Sequence, residues 1–155
     1  MSIQKVRDYV KIFNEHLEPI EFTEKTNTVE EAAKALGVEG AQIAKSILFK
    51  TGNQFGLFVT AGDIRINQKK VKKLLGPGKP KLASPKEVEE ITGFPIGGVC
   101  PFALNEEVPI FLDESMNRFE KVYTAAGTPH SALPITFTQL CEITKGTVID
   151  AENID

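Results

Sequence analysis

Three features of the sequence predict an α+β fold, a single domain with one curved mixed β-sheet flanked by helices. Helical and extended periodicities are interleaved along the chain without the regular alternation of a doubly wound sheet. Capping boxes at Thr28, Ser84 and Thr136 each open a short helical pattern, and Gly37, Gly93 and Gly146 close those patterns. Two β-rich runs, at residues 43–50 and 55–60, flank Thr51-Gly52-Asn53-Gln54, a turn composition that predicts a hairpin.

In chain order, Ile3, Val6, Val10, Phe13 and Leu17 recur at helical spacing. They predict an amphipathic helix over residues 2–16, with His16 at its C-terminal dipole end and Pro19 as the stop. Residues 20–22 read as a short strand. The Thr28 box starts a second helix, which leads into the first strand of the hairpin. Helical spacing returns over residues 67–75 and ends at Gly76, after which Pro77, Gly78 and Pro80 make a stiff connector. Ser84-Pro85-Lys86-Glu87 opens the next helix with proline at its first position. Residues 108–113 and 119–125 read as strands joined through 114–117, and residues 133–136 extend the sheet. Thr136 caps a last helix, and residues 147–150 form a final strand.

A chain of 155 residues is long enough for one domain, taken as 1–155, with a real core. Its 41% hydrophobic and 25% charged residues are ordinary for a globular protein. No apolar run approaches the roughly 18 residues of a membrane span, and the N-terminus lacks the apolar centre of a signal peptide. A cytoplasmic protein with no membrane partner is expected. Cys100 and Cys141 are too few for a disulfide framework, and no Cys/His grouping has zinc-ligand spacing, so no metal or other cofactor is expected.

The strand at residues 43–50 carries an oddity. Ile43, Ile47 and Phe49 alternate onto one face, and Lys45 falls on that face among them. An ammonium taken from water needs an anion or the mouth of a cleft. Failing that, Lys45 is an edge lysine that blocks strand pairing, or the register is shifted by one residue and it faces solvent. Two loops could supply main-chain donors. In Gly93-Phe94-Pro95-Ile96-Gly97-Gly98-Val99-Cys100-Pro101, paired glycines open the backbone to a ligand and prolines hold the loop in shape, unless it is simply a tight turn. In Ala125-Ala126-Gly127-Thr128-Pro129-His130, the histidine is either a site group or a solvated turn residue. Cys100 is either a nucleophile near His130 or a buried structural thiol.

The formal net charge of −3 argues against a general nucleic-acid binder, but the charge is unevenly placed. Residues 65–81 hold seven of the 18 basic residues (Arg65, Lys69, Lys70, Lys72, Lys73, Lys79, Lys81) and no acidic one. This segment is either a footprint for phosphates or a solvated helix face.

Taken in order, the strand around Lys45, the Gly97-Gly98-Val99-Cys100-Pro101 segment, which fits a Gly-x-x-x-Pro pattern, and the loop at Gly127 resemble the YbaK family and the inserted editing domain of bacterial prolyl-tRNA synthetase. The resemblance runs from the helix before Gly37 to the last helix. It implies an aminoacyl-tRNA deacylase acting in trans on tRNA for proline charged with a smaller residue. It implies Lys45, Gly97 and Gly98 at the reacting ester, and Ser46, Val99, Pro101, Gly127, Thr128 and His130 around the substrate. Lys69, Lys70, Lys72, Lys73, Lys79 and Lys81 become candidates for the acceptor stem, and a prolyl-tRNA synthetase becomes a second partner. Many cysteine-clearing members carry a serine before the paired glycines of the last loop, where this sequence has Ala125-Ala126-Gly127. The alternative is a tRNA- or nucleotide-binding module of the same fold without turnover.

Overall fold

A computed structural model of the chain describes residues 2–23 and 28–153. Strands β2 (Ala44–Thr51) and β3 (Gln54–Ala61) form the predicted antiparallel hairpin, paired from Ala44 opposite Ala61 to Thr51 opposite Gln54. On the outer edge of β2, directly after the Pro77–Pro80 connector, lies β4 (Lys81–Leu82), a short strand that the sequence reading did not include. On the other side β5 (Ile110–Asp113) runs parallel to β3, and β8 (Thr147–Ile149) runs parallel to β5. The resulting mixed sheet has the order β4-β2-β3-β5-β8.

The remaining strands, β1 (Ile20–Glu21), β6 (Val122–Thr124) and β7 (Ser131–Ile135), make a separate antiparallel sheet of order β1-β7-β6. Among the described residues, a parallel bridge from Ile43 to Tyr123 links the two sheets. The strands expected to adjoin through residues 114–117 therefore part company. Both edges of β5 are occupied, by β3 and β8, so β6 pairs with β7 instead.

The helices begin where the caps place them. All three capping boxes form, at the starts of α2 (Val29–Leu36), α4 (Pro85–Thr92) and α5 (Phe137–Thr144). Asn67 caps α3 (Gln68–Leu75) by accepting from the Lys69 N–H. The first helix, α1 (Ser2–Phe13), stops earlier than expected, so exposed His16 lies beyond it in a turn and has no helix end to complement. At the end of α5 the left-handed position belongs to Lys145 (φ 54), one residue before Gly146. Gly146 meets a different need: a Cβ there would stand 2.9 Å from the Ile110 carbonyl oxygen.

Strand β2 is buried on both faces. Ala44 and Leu48 enter the main core with Leu57 and Val59, while Phe49 faces a smaller core with Phe58, Phe111 and Val71 of α3. Phe58 ties that smaller core together, edge-on to Phe49 at 5.4 Å and stacked on Phe111 at 4.8 Å. Alternation along the strand puts Lys45 on the Phe49 side.

Buried Asp113 locks the end of β5 to the chain that follows β8. It accepts from the Ala151 N–H at 2.6 Å and from the N–H and hydroxyl of Ser115. Asp113→Ala leaves a buried N–H without its acceptor, and an unfolding free energy lower by about 1–3 kcal/mol is expected from urea titration.

Candidate functional site

One edge of β2 is paired throughout with β3, and the other only where β4 reaches it. The Ala83 N–H donates to the Leu48 carbonyl at 2.9 Å, so Leu48 turns its main chain away from β3. Leu57 opposite does likewise, donating to Pro109 at 2.9 Å. By the alternation of an antiparallel ladder, Ser46 also turns its N–H and C=O to the outer edge. There β4 stops at Leu82, and β6 bridges to Ile43, the residue just before β2. Ser46 sits between them, its Oγ buried without a hydrogen-bond partner among the described residues.

A cavity of about 310 Å³ opens in this gap, near the lower end of the roughly 300–1,000 Å³ usual for small-molecule sites. It is lined by β2 from Ala44 to Leu48, by the ends of β4 and β6, by Val29, Ala32 and Leu36 of α2, and by Ile96, Gly97 and Val99. Lys45, Ser46, Gly97 and Val99 are thus brought together. Having no side chain, Gly97 can line the cavity only with its main chain, at φ 93, which glycine adopts without strain. The α2 residues escaped the sequence reading, although their i, i+3, i+7 spacing marks one helical stripe.

Other expected site residues stand behind the cavity or away from it. The Gly98 N–H donates to the Pro95 carbonyl and the Gly98 carbonyl accepts from the Gly127 N–H, both at 2.9 Å. A Cβ on Gly98 would stand 2.7 Å from the Gly127 carbonyl. Gly98 and Gly127 therefore support the wall without lining it, and the expectation that Gly98 offers donors to a substrate is corrected. Pro101 lines a second hollow with Tyr9 and Leu104. Thr128 accepts from the His130 N–H at 3.1 Å, His130 is exposed, and neither lines the cavity. From that side the wall comes from Ser131, whose hydroxyl donates to the Thr128 carbonyl at 2.8 Å.

Lys69, Lys72, Lys73, Lys79 and Lys81 are exposed. Lys70 is not: α3 turns it inward with Val71, only 7% exposed; the Asp150 carboxyl is held below its usual range mainly by a hydrogen bond from the Asn153 side chain, with a small contribution from the Lys70 charge. Its expected phosphate role is withdrawn.

Burial pulls the Lys45 ammonium below the usual lysine range, Arg65 adds to that effect, and Asp63 opposes it. Asp63 is itself held as a carboxylate by Arg118, which donates two hydrogen bonds to it at 2.7 and 3.1 Å. Cys100 lies in the main core, and burial pushes its thiol up to about 12. A thiol so placed is no nucleophile for this cavity. Among the described residues no cluster of His, Cys, Asp or Glu is placed to hold a metal ion, and no helix is long and apolar enough to cross a membrane.

Residues 23–143 match the sequence model of the aminoacyl-tRNA editing domain. The chain belongs to that family. It is 41% identical over 143 residues to YwhH of Bacillus subtilis, covering 92% of this chain and 90% of that protein. It is 34% identical over 134 residues to the proline–tRNA ligase of Bacillus licheniformis, an alignment that takes in 80% of this chain but only 23% of the ligase. A crystal structure described as a candidate trans-editing enzyme for prolyl-tRNA synthetase superposes with a TM-score of 0.90 at 35% identity, over 98% of this chain and 97% of that one. The editing domain thus has an α+β fold matched along nearly its whole length.

The lowered pKa of Lys45 makes its charge a cost to the folded editing domain. Below the folded pKa that cost is present in full. It fades as pH rises and is gone above the unfolded lysine value of about 10.4. Lys45→Met should therefore unfold at a Tm no lower than wild type at neutral pH, with its advantage shrinking in thermal scans taken toward a pH of about 10.

Proposed function

We propose that this editing domain is a trans-acting aminoacyl-tRNA deacylase, which hydrolyses the ester of tRNA for proline charged with a smaller residue such as alanine, cysteine, serine or threonine. The observation that carries the reading is that Lys45 and the Gly97 main chain line one largely aliphatic cavity at the half-open edge of β2. The family, and the likeness to a segment of a proline–tRNA ligase, support it. The same reading puts the protein in the cytoplasm, working as one domain beside a prolyl-tRNA synthetase.

An aminoacyl ester is already activated, so catalysis consists mainly of orienting water and stabilising the developing oxyanion. In this reading the Lys45 ammonium holds the phosphate or ribose end of the terminal adenosine, a partner that offsets its desolvation. The main chain at Gly97 and the outer edge at Ser46 receive the aminoacyl carbonyl and ammonium. Val29, Ala32 and Leu36 limit the size of the side chain admitted. Water adds to the carbonyl, and the tetrahedral intermediate expels the ribose oxygen, leaving free amino acid and tRNA. The 2′-hydroxyl of the terminal ribose or an ordered water takes the proton of the attacking water and passes it to the departing ribose oxygen; no carboxylate or imidazole is among the described residues lining the cavity. The exposed lysines of α3, with Lys79 and Lys81, meet acceptor-stem phosphates.

The test is release of free amino acid from tRNA for proline bearing alanine, cysteine, serine, threonine or proline. Wild type should clear at least one small residue, Lys45→Ala should lose about 100-fold or more of kcat/KM, and Cys100→Ala should keep its turnover. Binding without turnover in wild type would favour a non-catalytic tRNA-binding module. Full-rate hydrolysis of a tRNA ending in 2′-deoxyadenosine would remove the 2′-hydroxyl from the mechanism. Replacing Lys69, Lys72 and Lys73 with alanine should weaken tRNA binding and flatten its salt dependence; an unchanged salt slope takes α3 out of the interface.

A further inference from the structure

Two large aliphatic side chains stand in water at the cavity: Leu82 is 63% exposed and Ile96 58%, and both line it. Single exposed aliphatic residues are ordinary on a protein surface. Two that continue the wall of one apolar cavity make a patch for a ligand to cover. The segment carrying them is anchored to β2. Leu82 pairs opposite Phe49, and Lys50 of β2 donates to Glu87 of α4 at 2.7 Å. Leu82 thus enters the segment just before α4, and Ile96 leaves it one residue before Gly97. Beside Leu82 in sequence are exposed Lys81 and Lys79.

In an ester carried on a terminal ribose, the nucleobase hangs from the same sugar as the aminoacyl group. Leu82 and Ile96, exposed yet lining the cavity, mark its mouth, so with the aminoacyl group seated inside the base reaches the rim they form. Nucleobase faces are apolar and stack on protein side chains with little regard to base identity. The phosphates that precede the base in the strand find cations at Lys81 and Lys79.

We propose that Leu82 and Ile96 form an aliphatic clip for the terminal nucleobase of the tRNA, an inference that rests on the deacylase reading. The clip holds the ribose in register with Lys45 and Gly97. Lacking polar atoms, it does not distinguish adenine from hypoxanthine.

Two non-hydrolysable ligands test it: 3′-deoxy-3′-(L-alanylamido)adenosine, and the same sugar with a methoxy group in place of adenine. Wild type should bind the first about tenfold more tightly than the second. The Leu82→Ser, Ile96→Ser double variant should lose that difference while keeping its Kd for the base-free ligand and its Tm. The Leu82→Met, Ile96→Met double variant should recover most of the difference. Equal affinities in wild type, or a preference that survives the serine variant, overturn the clip. So does sedimentation showing a wild-type dimer that the serine variant dissolves, which would assign the patch to a second copy. Hydrolysis by wild type of tRNA for proline bearing alanine, cysteine, serine or threonine, run alongside, separates the two readings. Turnover of any of them without base preference overturns the clip alone, and turnover of none of them with no ligand binding overturns both.

Discussion

The hydrogen bond from the Gly127 N–H to the Gly98 carbonyl, at 2.9 Å, is the contact on which the site depends. It joins the loop after α4 to the loop between β6 and β7, main chain against main chain. On the far side of Gly127 a Cβ would stand 2.9 Å from the Ser2 carbonyl oxygen, so the start of α1 closes the stack. Such a contact has no side chain that could adjust, and any Cβ at Gly98 would push the loops apart. Gly97 and Val99, either side of Gly98, are thereby held at a set place facing β2. In the proposed deacylase, a wall of this kind supplies the placement that no reactive side chain provides.

The second constraint is the cost of Lys45. A strand packed on both faces is a poor home for an ammonium, and burial pulls the Lys45 pKa down. The surrounding charges moderate the effect without cancelling it: Asp63 favours the cation, Arg65 opposes it, and Arg118 holds Asp63 in its ionised form. The proposed function gives this cost a reason, a ligand anion at Lys45 that offsets it. The lysine is placed where β4 has already ended and the sheet edge is open, so a ligand can reach what the protein leaves unsatisfied.

Much of the local structure was legible in the sequence. Capping boxes at Thr28, Ser84 and Thr136, and the left-handed glycines 37 and 93, are decided within a few residues, and the hairpin turn at Gly52 joins neighbouring strands. The sequence predicts too long a first helix because its apolar stripe continues to Leu17, while the chain turns at Asn14 and buries Leu17 from the loop that follows. The paired glycines announced a close backbone approach but not its partner, so Gly97 and Gly98 read alike although one faces the cavity and the other faces Gly127. Lys70 looked like its neighbours for the same reason: a run of lysines does not say which one the helix turns inward.

By itself, then, the sequence determined where α2 to α5 start and where α2, α3 and α4 stop, that β2 and β3 form a hairpin, and that a lysine shares a strand face with core residues. These depend on interactions between residues near one another in the chain, which short patterns encode. Tertiary structure alone decided that the strands divide into two sheets, that β4 covers only part of β2, and that a cavity opens at Ser46 between β4 and β6. Those outcomes rest on competition for strand edges between segments far apart in the chain, and no local pattern records which segment takes an edge first.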